Sequence, residues 1–478
     1  MLKAAVLDVH FSLTKLLFNE FHIISIDLDQ PNLYLETHNG ENNWDFETKN
    51  SEPSTTNIKL SINRLSVTHG ILHHNDDTFK LDKFDLTIPD GNTLYHIHVL
   101  GKRNNAPLKA TINIEKKTTN IKVDVVHLLV GTSTLTGEID INESPLKITG
   151  ELNANTFAVK DFSSADTPGG NGEYSIPKTP LNIKKLKDSV FDISVKIDKL
   201  VLKNITLKHV GIQTQNVKNV LSIQLKPAVD IANGKLNANL SFDMNYDNPQ
   251  IHLQAKTSGV QLESLMKDMF GKSPITGSAL ELNVTLDGNG NDLNSIVGSL
   301  SGRILATAGP GNFLNSNASL GNIFTTVLSS VITFDKTKPS TVFTCGVLNF
   351  KVSNGVATAN NGIGIEAASV NVLGNGMVDL RNGRIKFTIT PQNLISTNPM
   401  DIANLSMAQL VQVTGTLSQP KVSVNPAGLL TPSNGVMVAK MAGLGAGLPG
   451  LAVVLAEQAL GNKPAAQISP CKAAAAAN

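Results

Sequence analysis

The chain is poor in the residues that announce chemistry. Its 478 residues include a single tryptophan, Trp44, and aromatics make up 5%, which excludes extended stacking platforms for bases or sugars. Forty basic residues against thirty-nine acidic ones leave a net charge of +1. No basic surplus exists to hold a phosphate backbone, so nucleic acid is not an expected partner. The two cysteines, Cys345 and Cys471, are too few for a disulfide scaffold and too dispersed for a zinc site. They read as free thiols, although an oxidising compartment permits one bridge. No apolar run is long enough to span a bilayer. Residues 436–460, the most apolar stretch, are broken by Lys440, Gly443, Gly445, Gly447, Pro449 and Glu457. Asp8 and His10 interrupt the N-terminus before any signal-peptide core can form. Taken alone, these absences describe a soluble, unexported chain.

What the sequence has in quantity is alternation. Phe191-Asp192-Ile193-Ser194-Val195-Lys196-Ile197-Asp198 repeats apolar and polar residues with a period of two, the pattern of a strand with one apolar and one wet face. Similar stretches run from the first fifty residues to beyond residue 420. The expected fold is therefore mainly β: long, curved, antiparallel amphipathic sheets forming a groove, with a few short helices. Two packed β-sandwich-like units are the alternative, because periodicity does not say what covers the apolar face. Residues 11–18 read as a short helix capped by Ser12 or Thr14, and residues 261–270 as one stopped by Gly271. Residues 320–331 read as a third. Turns are expected at Asn39-Gly40, His69-Gly70 and Pro89-Asp90-Gly91. Composition divides the chain into β regions at 1–160 and 181–430, a Ser/Gly/Pro-rich linker at 161–180, and a Gly/Ala-rich apolar tail at 431–478, partly disordered.

Candidate chemistry is sparse. Ser264-Leu265-Met266-Lys267 has the spacing of a serine nucleophile with a lysine base one turn along, but no Lys-Thr-Gly accompanies it. Gly271-Lys272-Ser273 resembles the end of a phosphate-binding loop, yet Met266 stands where that loop needs glycine. His73-His74 and the pair His96 and His98 lack a neighbouring carboxylate or cysteine cluster. No catalytic constellation emerges, and the expectation is a non-enzymatic protein without metal or cofactor.

Several landmarks carry a family resemblance. Leu13-Thr14-Lys15-Leu16-Leu17, Ile24-Ser25-Ile26-Asp27-Leu28-Asp29-Gln30-Pro31, Asn39-Gly40 and Asn43-Trp44-Asp45-Phe46 follow one another near the start. Val260-Gln261-Leu262-Glu263-Ser264-Leu265, Ile275-Thr276-Gly277-Ser278, Leu293-Asn294-Ser295-Ile296-Val297-Gly298 and Val413-Thr414-Gly415-Thr416-Leu417 follow later. Their order resembles the AsmA family of Gram-negative envelope proteins, over most of residues 1–430. The resemblance implies a repeating β-groove lipid carrier acting in outer-membrane assembly. Its partners would be phospholipid or another acyl lipid and outer-membrane assembly proteins. Family members carry an N-terminal membrane anchor, so the expected location is the periplasmic side of the inner membrane, with the anchor upstream of Met1. On this reading Phe191, Ile193, Val195, Ile197, Leu240, Phe242, Leu282, Val284 and Leu286 line the lipid-binding groove.

Overall fold

β-Branched and aliphatic residues at alternate positions favour extended backbone, and strands dominate the structure. In this computed structural model the described residues are 2–18, 20–38, 41–43, 59–74, 77–89, 93–162, 176, 181, 186–202, 205–315, 337–368, 370–392, 411–417, 419–424 and 469–477. The Asn39-Gly40 turn, Trp44, Phe46, Asp90 and Gly91 of the expected Pro89-Asp90-Gly91 turn, the expected helix at 320–331, most of the 161–180 segment and all of 431–468 lie outside them. The chain forms two compact units. The first holds Met1–Asn171, Asn182–Ile231 and Leu236–Pro249; the second holds Gly172–Leu181, Ala232–Lys235 and Gln250–Asn478.

In the first unit, successive strands pair antiparallel from Arg64–His74 through Asp77–Thr87, Leu94–Arg103, Ala106–Lys116, Asn120–Val130 and Ser133–Glu143 to Leu146–Ala158. Leu146–Ala158 then pairs parallel with Val190–Leu202. A parallel step requires a long crossover, and the Ser/Gly/Pro-rich segment supplies its length. In sequence that segment therefore lies between two paired strands of the first unit, and the long continuous part of the second unit begins at Gln250. The expected turn at His69-Gly70 is not one. His69 adopts φ +52 inside the unbroken strand Arg64–His74.

The second unit runs antiparallel through Gln250–Ser258, Ala279–Asn289, Ser301–Ala308, Ser340–Ser353, Val356–Ala367, Val370–Asp379, Arg384–Gln392, Val411–Thr416 and Pro420–Val424. Helix Leu262–Phe270 ends as expected at Gly271, whose φ of +76 suits a residue without Cβ. In the first unit, helix Leu13–Leu16 is capped by Ser12, again as expected. Helix Leu293–Ser299 was hidden in the sequence by its short length. Asp292 starts it, accepting from the Ser295 N–H at 2.9 Å while Ser295 Oγ accepts from the Asp292 N–H at 3.2 Å.

The alanine-rich C-terminus corrects the expectation of disorder. Pro470–Ala476 is a helix, with Pro470, Cys471 and Ala474 buried. Seven residues are too few for an isolated helix, so docking holds it.

Candidate functional site

Residues directly opposite one another in a sheet share a face, so strand register shows where the apolar positions assemble. In the first unit one row begins at Val9 and continues through Ile26, Leu65, Leu86, Ile97 and Ile112. It goes on through Val125, Gly137, Leu152, Val195 and Ile212 to Leu225. A second row on the same face links Tyr95, Ile114, Val123 and Ile139. It proceeds by Gly150, Ile193, Thr214 and Ile223 to Leu240. At Gly137 a Cβ would stand 2.1 Å from the Glu151 carbonyl oxygen, so only glycine lets the strands approach there.

Burial along the first row is informative. Val125 is buried and Val9 exposed, and every other member is half-buried. Among the described residues of this unit the helical positions are Leu13–Leu16, the 3₁₀ turn Val159–Asp161 and the 3₁₀ residue Leu186. None of these is long enough to cover so wide a face. At one end these rows run into a packed core, where Ala154, Ile197, Leu207, Val210 and Val229 are buried together. The opposite face carries cross-strand ion pairs. Lys122 meets Glu138 at 2.8 Å, and this contact holds the ammonium protonated above its usual range; Lys196 likewise pairs with Glu151.

Of the nine expected groove residues, Phe191, Ile193, Val195, Ile197, Leu240 and Phe242 belong to the first unit. Ile193, Val195 and Leu240 sit in the two rows, and Ile197 is buried in the core at their end. Phe242 pairs with Leu221 and is buried. Leu282, Val284 and Leu286 lie in the second unit, on one face of Ala279–Asn289, so the nine residues form two separate sets. Leu286 is packed with Val352 and Ala357, and Val284 flanks that cluster.

Two residues before Leu282 on the same face, Leu280 opens onto an apolar cavity of about 200 Å³. Leu262 and Met266 of helix Leu262–Phe270 form one wall; Ala306, Ala308, Gly346 and Leu348 form the sheet wall. A bulge between Phe343 and Cys345 turns Phe343 to this face, opposite Ala367. There it stacks on Phe313 with ring centroids 4.5 Å apart. The otherwise aliphatic lining is thus closed by two phenylalanines. Neither residue stood out in the sequence, because the bulge that turns Phe343 inward has no sequence mark. Burial grades across the cavity: Ile275 and Phe343 are each 2% exposed, whereas Leu348 is 45% exposed.

The other face of these strands is covered by the C-terminal helix. Cys345 and Cys471 form a disulfide, with Cα atoms 6.4 Å apart, which corrects the reading of two free thiols. Glu366 Oε1 accepts from the Cys471 N–H at 3.1 Å and from Ser469 Oγ. At the far end Asn349, wholly buried, donates from Nδ2 to the carbonyls of Ala474 at 3.0 Å and Ala475 at 3.2 Å, and to that of Ala477. Arg303 Nε donates to Asn349 Oδ1 at 2.9 Å. These donors satisfy carbonyls that a helix terminus leaves without intrahelical partners. Cys345, Glu366 and Cys471 form the one cluster of His, Cys, Asp and Glu with metal-ligand spacing among the described residues, and its two sulfurs are committed to each other.

The short motifs have local partners. Lys267 Nζ donates to Glu263 at 2.6 Å, and Ser264 Oγ accepts from Asn233 Nδ2 at 3.1 Å. Ser273 donates to the Ile275 carbonyl at 2.6 Å. His73 stacks on Tyr34, and His96 Nδ1 lies 2.8 Å from Asn113 Oδ1.

The AsmA family model matches residues 133–361. These residues are an AsmA-family region. The region takes in the last strands of the first unit and the cavity-bearing strands of the second, up to Asn361. AsmA is a family of envelope biogenesis, in agreement with the resemblance. The landmarks at 13–46 and 413–417 lie outside the matched region. No curated protein and no solved structure matches the chain. Among the described residues, no helix is long and apolar enough to cross a membrane.

Proposed function

We propose that this protein is a non-enzymatic envelope protein that holds acyl chains of phospholipid on its apolar sheet faces during outer-membrane assembly. On this reading it works from the periplasmic side of the inner membrane. The observation that carries it is the apolar row from Val9 to Leu225. It crosses one strand after another with most of its side chains half-buried, on a face that the short helical segments described in that unit do not span. An acyl chain laid on such a face is stabilised by roughly 0.8 kcal/mol per buried methylene, without any directional polar contact. A row of interchangeable aliphatic side chains favours no single position along it, which suits a ligand that slides.

The test is native purification of the full chain, followed by lipid extraction and mass spectrometry, for wild type and for Ile139→Glu. Ile139 lies in the second row, and a carboxylate there opposes a hydrocarbon ligand. Stoichiometric phospholipid in wild type, reduced in Ile139→Glu, is the expected result. Protein that emerges without lipid and takes up no fatty acid would refute the proposal. That outcome would favour a structural scaffold of the periplasm with closed β cores, for which the packed cluster around Val210 and Val229 is the supporting observation.

A further inference from the structure

We infer that the cavity of the second unit is an end pocket for one hydrocarbon chain, and that Ala308 and Gly346 are the residues that set how much of the chain it accepts. This inference rests on the lipid-binding reading above and specifies its second-unit site.

Three observations converge on it. The first is size. An apolar cavity of ~150 Å³ holds benzene, with its six carbons. The present cavity of about 200 Å³ therefore accepts a chain segment of roughly six to eight carbons, the end of an acyl chain and not its whole length. The second is polarity. Every described lining side chain is apolar, and none of them recognises a headgroup, a carboxylate or a water molecule. The third is direction. The closed end, at Ile275, Phe313 and Phe343, is almost wholly buried, whereas Leu348 at the other side is 45% exposed. Leu348 pairs with Ala306, which pairs with Leu282, so the open side is continuous with the half-buried face of Ala279–Asn289. A chain lying on that face has its terminus directed inward.

The space exists because the sheet wall is built of small residues. Ala308 and Gly346 are direct cross-strand partners. A Cβ added at Gly346 would meet only the Ala308 Cβ, at 3.7 Å, an ordinary contact. The backbone thus does not demand glycine at 346, and the missing side chain leaves room. Natural cores fill such volume when nothing else occupies it. Larger side chains at either position would project into the cavity and occupy the volume assigned here to the ligand.

The experiment compares full-length wild type, Gly346→Ala and Ala308→Leu. Saturated fatty acids of eight to eighteen carbons, and separately benzene, serve as probes, with binding read by calorimetry and by ligand-induced rise in Tm. Each methylene excluded weakens binding roughly fourfold. Ala308→Leu adds three carbons and is therefore expected to weaken fatty-acid binding by roughly fiftyfold and to abolish the benzene response. Its unliganded Tm should stay level or rise. Gly346→Ala, the milder substitution, is expected to cost a few-fold and keeps the test intact should Ala308→Leu fold poorly. If both filled variants bind fatty acids as wild type does, the end pocket is overturned while the broader lipid reading stands. If wild type binds benzene but no fatty acid, the cavity is a closed void and the inference also fails. If wild type binds neither probe, the end pocket fails, and absence of co-purified phospholipid would then remove the broader reading with it.

Discussion

Removing the Cys345–Cys471 disulfide is the most demanding test of how the second unit is held together. The bridge joins residues 126 apart in sequence. In the chain-entropy account, closing a loop of that length destabilises the unfolded state by about 5 kcal/mol, and strain or residual structure commonly lowers the realised effect to ~2 kcal/mol or more. The helix it anchors has seven residues, fewer than the ~12–15 that an isolated helix needs. Without the bridge, docking depends on the polar contacts of Glu366, Asn349 and Arg303 and on the packing of Ala474 against Val347. Cys345→Ala/Cys471→Ala is therefore expected to lose between about 2 and 5 kcal/mol. With a urea m-value of ~3 kcal/mol/M for a unit of this size, the second unit's midpoint should fall by about 1 M. The assay is urea unfolding followed by circular dichroism, on the double variant and on wild type with and without a phosphine reductant. Hydrogen exchange should show the loss concentrated at 470–476 and at the strands Ser340–Ser353 and Val356–Ala367. The reasoning is refuted if reduced wild type, with both thiols alkylated under native conditions, keeps its urea midpoint and its exchange protection at 470–476.

Three further outcomes follow from single groups. Asn349→Leu leaves the carbonyls of Ala474 and Ala477 without their buried donor and Arg303 Nε without its acceptor, while the Arg303 Nη2 bond to the Ala475 carbonyl remains. It is expected to cost about 2–4 kcal/mol in urea titration, with exchange rising first at the C-terminal helix. Asp161 is a pH-dependent tie. Burial raises its pKa, but hydrogen bonds from Ser133 Oγ, at 2.8 Å, and from the Thr132 N–H and Oγ1, at 2.8 and 2.9 Å, outweigh it and hold the carboxyl below the ordinary Asp range. Because the folded value is depressed, this stability is complete above the unfolded value of ~3.9 and is lost as pH falls through the folded value. Urea midpoints measured from pH 6 to pH 2 should therefore drop less steeply at the acid end in Asp161→Asn than in wild type. Gly271→Ala places a Cβ at φ +76 and should lower stability by about 1 kcal/mol, read as a lower Tm.

The strands were legible because burial on one face imposes a period of two, and that period survives in Phe191–Asp198 whatever the partner strands are. Which strands pair is a different matter. The parallel step from Leu146–Ala158 to Val190–Leu202 depends on a crossover that composition marks only as a loop. Bulges also escaped, since Asn361, at φ +52, shifts the register of Val356–Ala367 without altering the apolar spacing enough to show. The C-terminal helix could not be read from Ser469 to Ala477. Its stability comes from Asn349, Glu366 and Cys345, residues more than a hundred positions away. The cavity was invisible for a simpler reason. Alanine and glycine at 306, 308 and 346 look unremarkable in sequence, and only the register that sets them side by side makes an absence of volume.

The step-by-step pairing of Asp77–Thr87 through Leu146–Ala158 has a consequence for how such a protein can change in size. Every strand there contributes one position to the row, and from Leu94–Arg103 onward each is joined to the next by two or three residues, so two adjacent strands constitute an interchangeable insert. Strands lie ~4.8 Å apart, and deleting or duplicating such a pair would shorten or lengthen the apolar track by about 10 Å while leaving the direction and facing of every remaining strand intact. The reach of the apolar face is thus counted in hairpins. A lineage could match it to a wider or narrower gap by whole-hairpin gain or loss, with no new side-chain chemistry required.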